Sequence, residues 1–335
     1  MNDGVYLKKY LEPLEPWLSD PDVTDIMVNR PGEIWVETVT GEVTAHVAPN
    51  LTEVDLARLA RQVAGASSQG INREQPILSA ALPEGARGQF IAPPATRAGL
   101  VLAVRKHSLS DFSIADLKQA GMFDRRDDVA SLAKLDADLG ALLAAGDFGA
   151  FLSKAVMARK TMVISGGTAT GKTTLLNALV KEIDARERLI LIEDAPEIKL
   201  DRPNAVGLVA VRGGLGESNV TVDDLLQGAL RMRPDRIMLG ELRGAEAFAF
   251  LRAINTGHPG SLTTVHADSP AGALDQIAML ALLSGVDMDW HAIRAFGSRV
   301  IDVIVQLRRF EGKRFIGEIM FKPTHGERVE ATAFT

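Results

Sequence analysis

The sequence predicts an α/β protein: a C-terminal P-loop nucleotide-binding domain with a largely parallel sheet, plus a smaller α+β N-terminal domain joined to it by a helical linker. Three observations predict this. Residues 166–173 read Gly-Gly-Thr-Ala-Thr-Gly-Lys-Thr, the phosphate-binding loop pattern G-x-x-x-x-G-K-[ST] with every fixed position filled. From residue 149 onward, apolar runs of strand length alternate with segments of helical period. Before that, residues 1–106 mix strands and helices, and residues 107–148 are charged and helical with no strand run.

At the start, Tyr6, Tyr10, Leu11, Leu14, Trp17 and Leu18 recur every three or four residues, which predicts one amphipathic helix. Strands follow at 25–29, 33–37 and 43–47, with Pro31-Gly32 and Gly41 as turns. Residues 52–66 read as a helix opened by Thr52 and Asp55 in a capping-box arrangement. Strands at 88–92 and 100–105 lie on either side of Pro93-Pro94. The linker carries helices at 113–121 and 127–145.

In the C-terminal domain, 149–335, strands are expected at 161–165, 188–193, 206–211, 236–240 and 261–266. Helices are expected at 172–184, 221–231, 244–255 and 270–284, and a hairpin at 300–307 and 314–321. The Gly-rich stretch 212–217 reads as a mobile loop.

Composition narrows the function. The 335 residues carry a net charge of −6, against broad adhesion to nucleic acid. Cysteine is absent, so disulfides and cysteine metal sites are excluded. The mixed, charged N-terminus (Asp3, Lys8, Lys9, Glu12, Glu15) is no signal peptide, and the most apolar stretch, 277–286, is too short to span a membrane. A soluble chain that sits at a membrane through partners is expected.

The phosphate loop lies between an apolar strand and a helix, as its chemistry requires. Backbone N–H groups of Gly166, Gly167, Thr168, Ala169, Thr170 and Gly171, with the positive end of the helix beginning at Lys172, Thr173 and Thr174, would face a triphosphate. Lys172 would reach the β- and γ-phosphates and Thr173 would hold Mg²⁺. Residues 188–194 form an apolar strand ending in Glu193 and Asp194, with Glu197 just beyond; such acids can orient or deprotonate water. A second apolar strand, 236–241, ends in Glu241, placed to hold the Mg²⁺ shell through water. His258 and His266 flank a strand, and either could sense the γ-phosphate. Charge building on that phosphate calls for arginine. Arg87, Arg105, Arg231, Arg233, Arg243 and Arg252 are candidates between which residue chemistry alone does not choose.

These segments together resemble the hexameric traffic ATPases of type IV secretion and conjugation, kin of the type II secretion and type IV pilus motors. The order carries the resemblance: phosphate loop, then Ile-Glu-Asp-x-x-Glu at 192–197. Next come Arg-x-Arg-Pro-Asp-Arg-Ile-x-x-Gly-Glu-Leu-Arg-Gly at 231–244 and Thr-Gly-His-x-Gly-Ser-x-Thr-x-x-His-Ala at 256–267. Residues 25–36 and 85–94 look like that family's N-terminal domain. The resemblance implies a RecA-like C-terminal domain, ATP and Mg²⁺ as ligands, and a homo-hexamer. It implies a place at the cytoplasmic face of the inner membrane, beside other ATPases and membrane components of a secretion apparatus and an acidic membrane surface. A protein or protein–DNA substrate would be handled indirectly.

By the same resemblance, Glu197 polarises or deprotonates the attacking water; Glu193 stays a catalytic candidate from its place at the strand end. Glu241 closes the Mg²⁺ site, and His266 contacts the γ-phosphate. Arg87 and Arg105 reach the phosphates from the N-terminal domain, and Arg233 is a further sensor. Ala169-Thr170 departs slightly from the family's usual small residue and serine. The lack of cysteine disfavours the type II secretion branch, whose motors often carry a four-cysteine metal insertion. A pilus-assembly motor, a nucleic-acid motor and a non-catalytic nucleotide-gated scaffold are the alternatives.

Overall fold

Two sheets organise the described residues of the computed structural model, which are 3–106, 113–119, 121–124, 129–211, 216–324 and 329–332. The single N-terminal helix expected from the sequence is broken into α1 (Asp3–Leu11), a 3₁₀ turn (Glu12–Leu14) and α2 (Glu15–Leu18). The cause is Pro13 and Pro16. Each lacks an N–H donor and falls in a first turn, the one place in a helix where proline is tolerated.

The first sheet holds β1 (Val23–Val28), β2 (Glu33–Thr38), β3 (Val43–Val47), β4 (Ile77–Ala81), β5 (Arg87–Ile91) and β6 (Val101–Arg105), in the order β3-β2-β1-β6-β5-β4 and antiparallel throughout. The helix α3 (Glu53–Ala66), opened by the expected Thr52–Asp55 capping box, covers one face. There Leu56, Leu59 and Val63 pack with Ile26, Val28, Ile34, Phe90 and Leu102. Alternate residues point the other way, and Met27, Ile91, Val101 and Ala103 join a core built mainly by the C-terminal half. Both faces of β1 are therefore dry over Ile26, Met27 and Val28, which is why the sequence there runs apolar instead of alternating.

The helices α4 (Ile114–Gln119) and α5 (Val129–Ala144) fall in the expected linker. α5 nevertheless packs into the C-terminal core. Leu139 and Leu143 are buried there with Phe151 and Leu152 of α6 (Phe148–Met157), and Asp136 pairs with buried Lys160 at 2.8 Å. The apolar face of α5 needs a partner to be stable as a helix, and the C-terminal sheet supplies it.

The second sheet has eight strands. β7 (Met162–Gly166), β8 (Leu189–Glu193), β9 (Ala205–Val209), β10 (Arg236–Leu239), β11 (Leu262–Val265) and β12 (Val303–Phe310) run parallel; β13 (Lys313–Phe321) pairs antiparallel with β12, and β14 (Val329–Thr332) antiparallel with β13. Their order is β14-β13-β12-β7-β11-β10-β8-β9. Helices α7 (Lys172–Lys181), α8 (Val222–Ala229), α9 (Glu246–Asn255), α10 (Pro270–Leu282) and α11 (Trp290–Val300) cover its faces. On β8, Leu189 and Leu191 enter the core under α5, α6 and α7, while Ile190 and Ile192 enter the core under α8, α9 and α10. Burial on both faces explains the unbroken apolar runs. The expected first hairpin strand, 300–307, begins late as β12. Residues 290–300 are held in α11, whose N-terminus is capped by Asp289 accepting from Ala292 N–H at 2.7 Å. Residues 212–215 of the expected mobile loop lie outside the described residues.

Where the two halves meet, Arg188 is fully buried. Its Nη1 donates to Asn29 Oδ1 and Asn204 Oδ1, both at 2.6 Å, and its Nε to Met232 O at 2.8 Å. With no carboxylate in hydrogen-bond contact, burial pulls this guanidinium down to about 9.

Candidate functional site

The carboxyl ends of β7, β8, β10 and β11 point to one edge of the sheet, where parallel α/β folds place their ligands. A cavity of about 340 Å³ lies there, lined by residues 168–174, Glu193, Asp194, Glu197, Glu241, Arg243, His266 and Arg314 among others.

The phosphate loop leaves β7 and closes into α7. Gly171 caps the helix at φ +97°, a left-handed conformation that suits glycine, and Ala169 is also left-handed at φ 62°. At Gly166 a Cβ would lie 2.6 Å from Thr170 Oγ1 and 3.0 Å from Leu307 O, so only glycine lets the loop turn this tightly. Thr170 Oγ1 donates to Gly167 O at 2.9 Å and staples the turn. Lys172 folds back over the loop, donating to Gly166 O at 2.9 Å and Gly167 O at 3.2 Å. Burial lowers its ammonium below the ordinary lysine value, against the pull of Glu241.

The acids sit around that lysine. Glu241 Oε1 lies 2.8 Å from His266 Nε2, and its other oxygen pairs with Arg243, which also reaches Asp194 at 3.0 Å. His266 Nδ1 is 3.3 Å from Lys172 Nζ. The Lys172 contact calls for the lone pair on Nδ1, which leaves the ring proton to Nε2, the nitrogen nearer Glu241. Glu197 is exposed, and its Oε2 accepts from Thr173 Oγ1 at 3.1 Å. Asn177 Nδ2 donates to Thr173 O at 3.1 Å, and Asn177 Oδ1 accepts from Lys199 N–H at 2.8 Å, tying α7 to the loop after β8. Glu193 is only 4% exposed. Its Oε1 accepts the N–H groups of Glu197 and Ile198, both at 3.0 Å, and its Oε2 pairs with Arg97.

The expected residues therefore divide. The phosphate loop, Lys172, Thr173, Thr174, Glu193, Glu197, Glu241 and His266 come together. His258 does not: it sits at the opposite end of β11, with Nδ1 donating to Pro234 O at 3.1 Å, and burial lowers its pKa. Arg87, Arg105 and Arg233 line a separate cavity of about 350 Å³ with Asp25 and Arg231. There Arg105 Nε lies 3.7 Å from Asp25, and Arg233 is held by Glu37 and by Asp235 at 2.6 Å. Arg87 is exposed, and its side chain makes no hydrogen bond or ion pair among the described residues.

The family model for type II/IV secretion system proteins matches residues 8–309. The chain belongs to that family. Among its relatives, the type IV secretion system protein VirB11 of Bartonella henselae is 39% identical over 93% of this chain and 92% of its own. The PtlH protein of the Bordetella pertussis type IV secretion system is 38% identical over 91% of each chain. The crystal structure of the VirB11 ATPase from the Brucella suis type IV secretion system, solved with sulphate, superposes with a TM-score of 0.88 at 37% identity, covering 95% of this chain and 98% of that one. Within the type II/IV family, then, the chain is a traffic ATPase of the type IV secretion kind, and its RecA-like and N-terminal halves are both accounted for.

Sequence reasoning left one side chain here unselected and missed two. Arg243 was one candidate among six, and its neighbour Glu241 was the signal that could have selected it. Arg314 reaches the cavity from β13, with Cδ 3.4 Å from where a Cβ on Gly171 would lie; no local motif marks it. Arg97 comes from the N-terminal half, and only the fold brings it close.

Proposed function

We propose that the chain is an ATP-hydrolysing motor that assembles as a hexamer and powers a type IV secretion apparatus from the cytoplasmic face of the inner membrane. The observation that carries this is the convergence of Lys172, Thr173, Glu197, Glu241 and His266 around one phosphate loop. Family membership supports the ATPase part; the residue roles rest on geometry. None of the helices among the described residues is long and apolar enough to cross a membrane, which accords with a peripheral placement.

Lys172 is already aimed across the loop, and in place of the two carbonyls it would take β- and γ-phosphate oxygens. The first N–H groups of α7 would face the same charge. Oxygen donors suited to a hard cation converge beside it, since Thr173 Oγ1 and Glu241 line the same cavity. Mg²⁺ held by Thr173, with Glu241 reached through water, would offset the phosphate charge. Glu197, exposed and mounted on a loop tied to α7, is placed to take a proton from the attacking water. His266 joins Lys172 to Glu241, so phosphate contact at one would be felt by the others.

Arg87, Arg105 and Arg233 lie apart from this cavity within one chain, and Arg233 is committed to Glu37 and Asp235. We propose that Arg87 and Arg105 serve a nucleotide held by a neighbouring subunit, which suits the exposure of Arg105, 74% for its side chain. In a ring, ATP would then govern how adjacent chains close on each other.

The test is ATP hydrolysis by wild type and Glu241→Gln, with oligomer size read by light scattering in the same samples, with and without Mg-ATP. Hexamers whose slow turnover is lost in the variant, with ATP still bound, are expected. A persistent monomer, or equal turnover by both, would overturn the proposal.

A further inference from the structure

We infer that Arg97, delivered by the N-terminal unit, is the positioning residue that holds the loop carrying Glu197 over the phosphate site. The inference rests on the reading of Glu197 as the group that acts on water.

The segment between β5 and β6 crosses onto the C-terminal sheet. Arg97 N–H donates to Gly207 O at 3.0 Å, Val209 N–H donates to Ala95 O at 2.9 Å, and Thr96 forms an antiparallel bridge with Leu208. This stretch thus behaves as an added edge strand on β9, its position set by backbone hydrogen bonds. The Arg97 side chain then passes over β9 at Gly207. A Cβ there would lie 2.5 Å from Arg97 Cδ and 3.0 Å from Cγ, so the passage exists because the residue is glycine.

Beyond the passage the guanidinium makes two contacts with the catalytic loop. Nη1 donates to Ile198 O at 2.8 Å, and Nη2 pairs with Glu193. Glu193 in turn crosses Gly240, where a Cβ would lie 3.0 Å from its Cγ. Its free oxygen, Oε1, takes the N–H groups of Glu197 and Ile198. Two glycines on flanking strands thus clear a path for one ion pair, and that pair grips the loop by two N–H groups and a carbonyl.

The pair is withdrawn from water, with side chains 18% and 3% exposed. In that setting the guanidinium fixes the Glu193 carboxylate in place, and removing it leaves a buried carboxylate without its counter-charge. Glu193 would then shift or draw in water, and the loop would slacken. A reacting group displaced by about 1 Å costs roughly 10²-fold in rate. Arg97 touches neither Lys172 nor Thr173 and reaches Thr173 only through Glu197, so its effect on the phosphate grip is indirect. Docking of the N-terminal unit is thereby coupled to turnover more directly than to affinity within one chain.

The test compares wild type, Arg97→Ala, Arg97→Lys, Gly207→Ala and the Arg97→Ala/Gly207→Ala pair, with Lys172→Ala as the inactive control. Amide hydrogen exchange at 194–198, ATP affinity by calorimetry, kcat and thermal midpoint are read on each. Arg97→Ala should speed exchange at Glu197 and Ile198 and lower kcat by about tenfold or more, with affinity held within about threefold. Arg97→Lys should recover part of the loss. Gly207→Ala should act in the same direction, and adding it to Arg97→Ala should do little more, since no guanidinium stem remains to be pushed aside. Unchanged exchange at these amides, or a lowered thermal midpoint with kcat intact, would overturn the inference. Should wild type turn over no faster than Lys172→Ala, the hydrolytic reading fails, while the exchange data still decide whether Arg97 orders the loop.

Discussion

Lys172 shows how one side chain can be made to wait for a ligand. Burial lowers its pKa, yet carbonyls of its own loop and the Glu241–His266 pair keep the ammonium form hydrogen-bonded. Those loop carbonyls accept well enough to hold a cation and poorly enough to release it to a phosphate, whose full negative charge adds an attraction that a neutral carbonyl lacks. Lys172→Ala should therefore cut turnover by at least about 10²-fold, with ATP affinity falling as well. Retained turnover, measured by phosphate release, would be incompatible with the assigned role.

The two histidines make the opposite case. Sequence chemistry left both open as phosphate sensors. They are eight residues apart across a strand, so they lie at opposite ends of β11, and the ligand edge of a parallel sheet is the carboxyl end. That places His266 in the site and His258 outside it. His258 has a testable consequence of its own. Its folded pKa is lowered from 6.5 by burial, so below pH 6.5 the unfolded chain binds a proton that the folded chain does not. Stability from this group is present above pH 6.5 and is lost as pH falls toward the lowered folded value. Denaturant midpoints taken from pH 7.5 down to about pH 5 should fall less steeply in His258→Asn than in wild type. Parallel pH profiles would show that His258 is free to titrate.

At the scale of elements, the phosphate loop is a strand-to-helix joint whose tightness comes from glycine at two points. Gly171 starts α7 at φ +97°, so Gly171→Ala should cost about 1–2 kcal/mol and disturb the N–H groups that face phosphate. A fall in both thermal midpoint and ATP affinity is expected, and a silent substitution would mean that the loop tolerates a different path. The strands were legible because both faces of the C-terminal sheet are dry, so β7, β8 and β10 carry apolar runs, while β11 shows its strand character in Thr263, Thr264 and Val265, which are β-branched. Other elements were less legible for physical reasons. β4 is a short edge strand containing Ser79 and two alanines, and it pairs with β5 alone. α11 mixes Arg294, Arg299 and His291 into its face, and the end of that helix was read as strand. α5 read as linker because its charged surface is visible in sequence and its docking is not. The site was legible where its residues follow a strand end closely, as do Lys172, Glu197, Glu241 and His266. Arg97 and Arg314 were invisible, since one reaches Glu193 and Ile198 and the other the cavity, each from a distant part of the chain.

At the scale of the whole molecule, the N-terminal sheet is no loose attachment. It gives Met27, Ile91, Val101 and Ala103 to the larger core, and Arg188 joins Asn29 to Asn204 across the junction. One chain thus places Arg97 at its own catalytic loop while holding Arg87 and Arg105 away from it. The arginines on exposed ground are the ones available to another subunit. This predicts complementation between inactive chains. Arg105→Ala lacks the donated cation and Lys172→Ala lacks the phosphate grip. Co-expressed in equal amounts, they should form mixed hexamers in which about a quarter of the sites combine an intact lysine with an intact neighbouring arginine, by random placement around a cyclic ring. Turnover near that fraction of wild type is expected. If Arg105 serves only its own chain, no site in any mixture is complete, and the mixed hexamers will be as inactive as either parent.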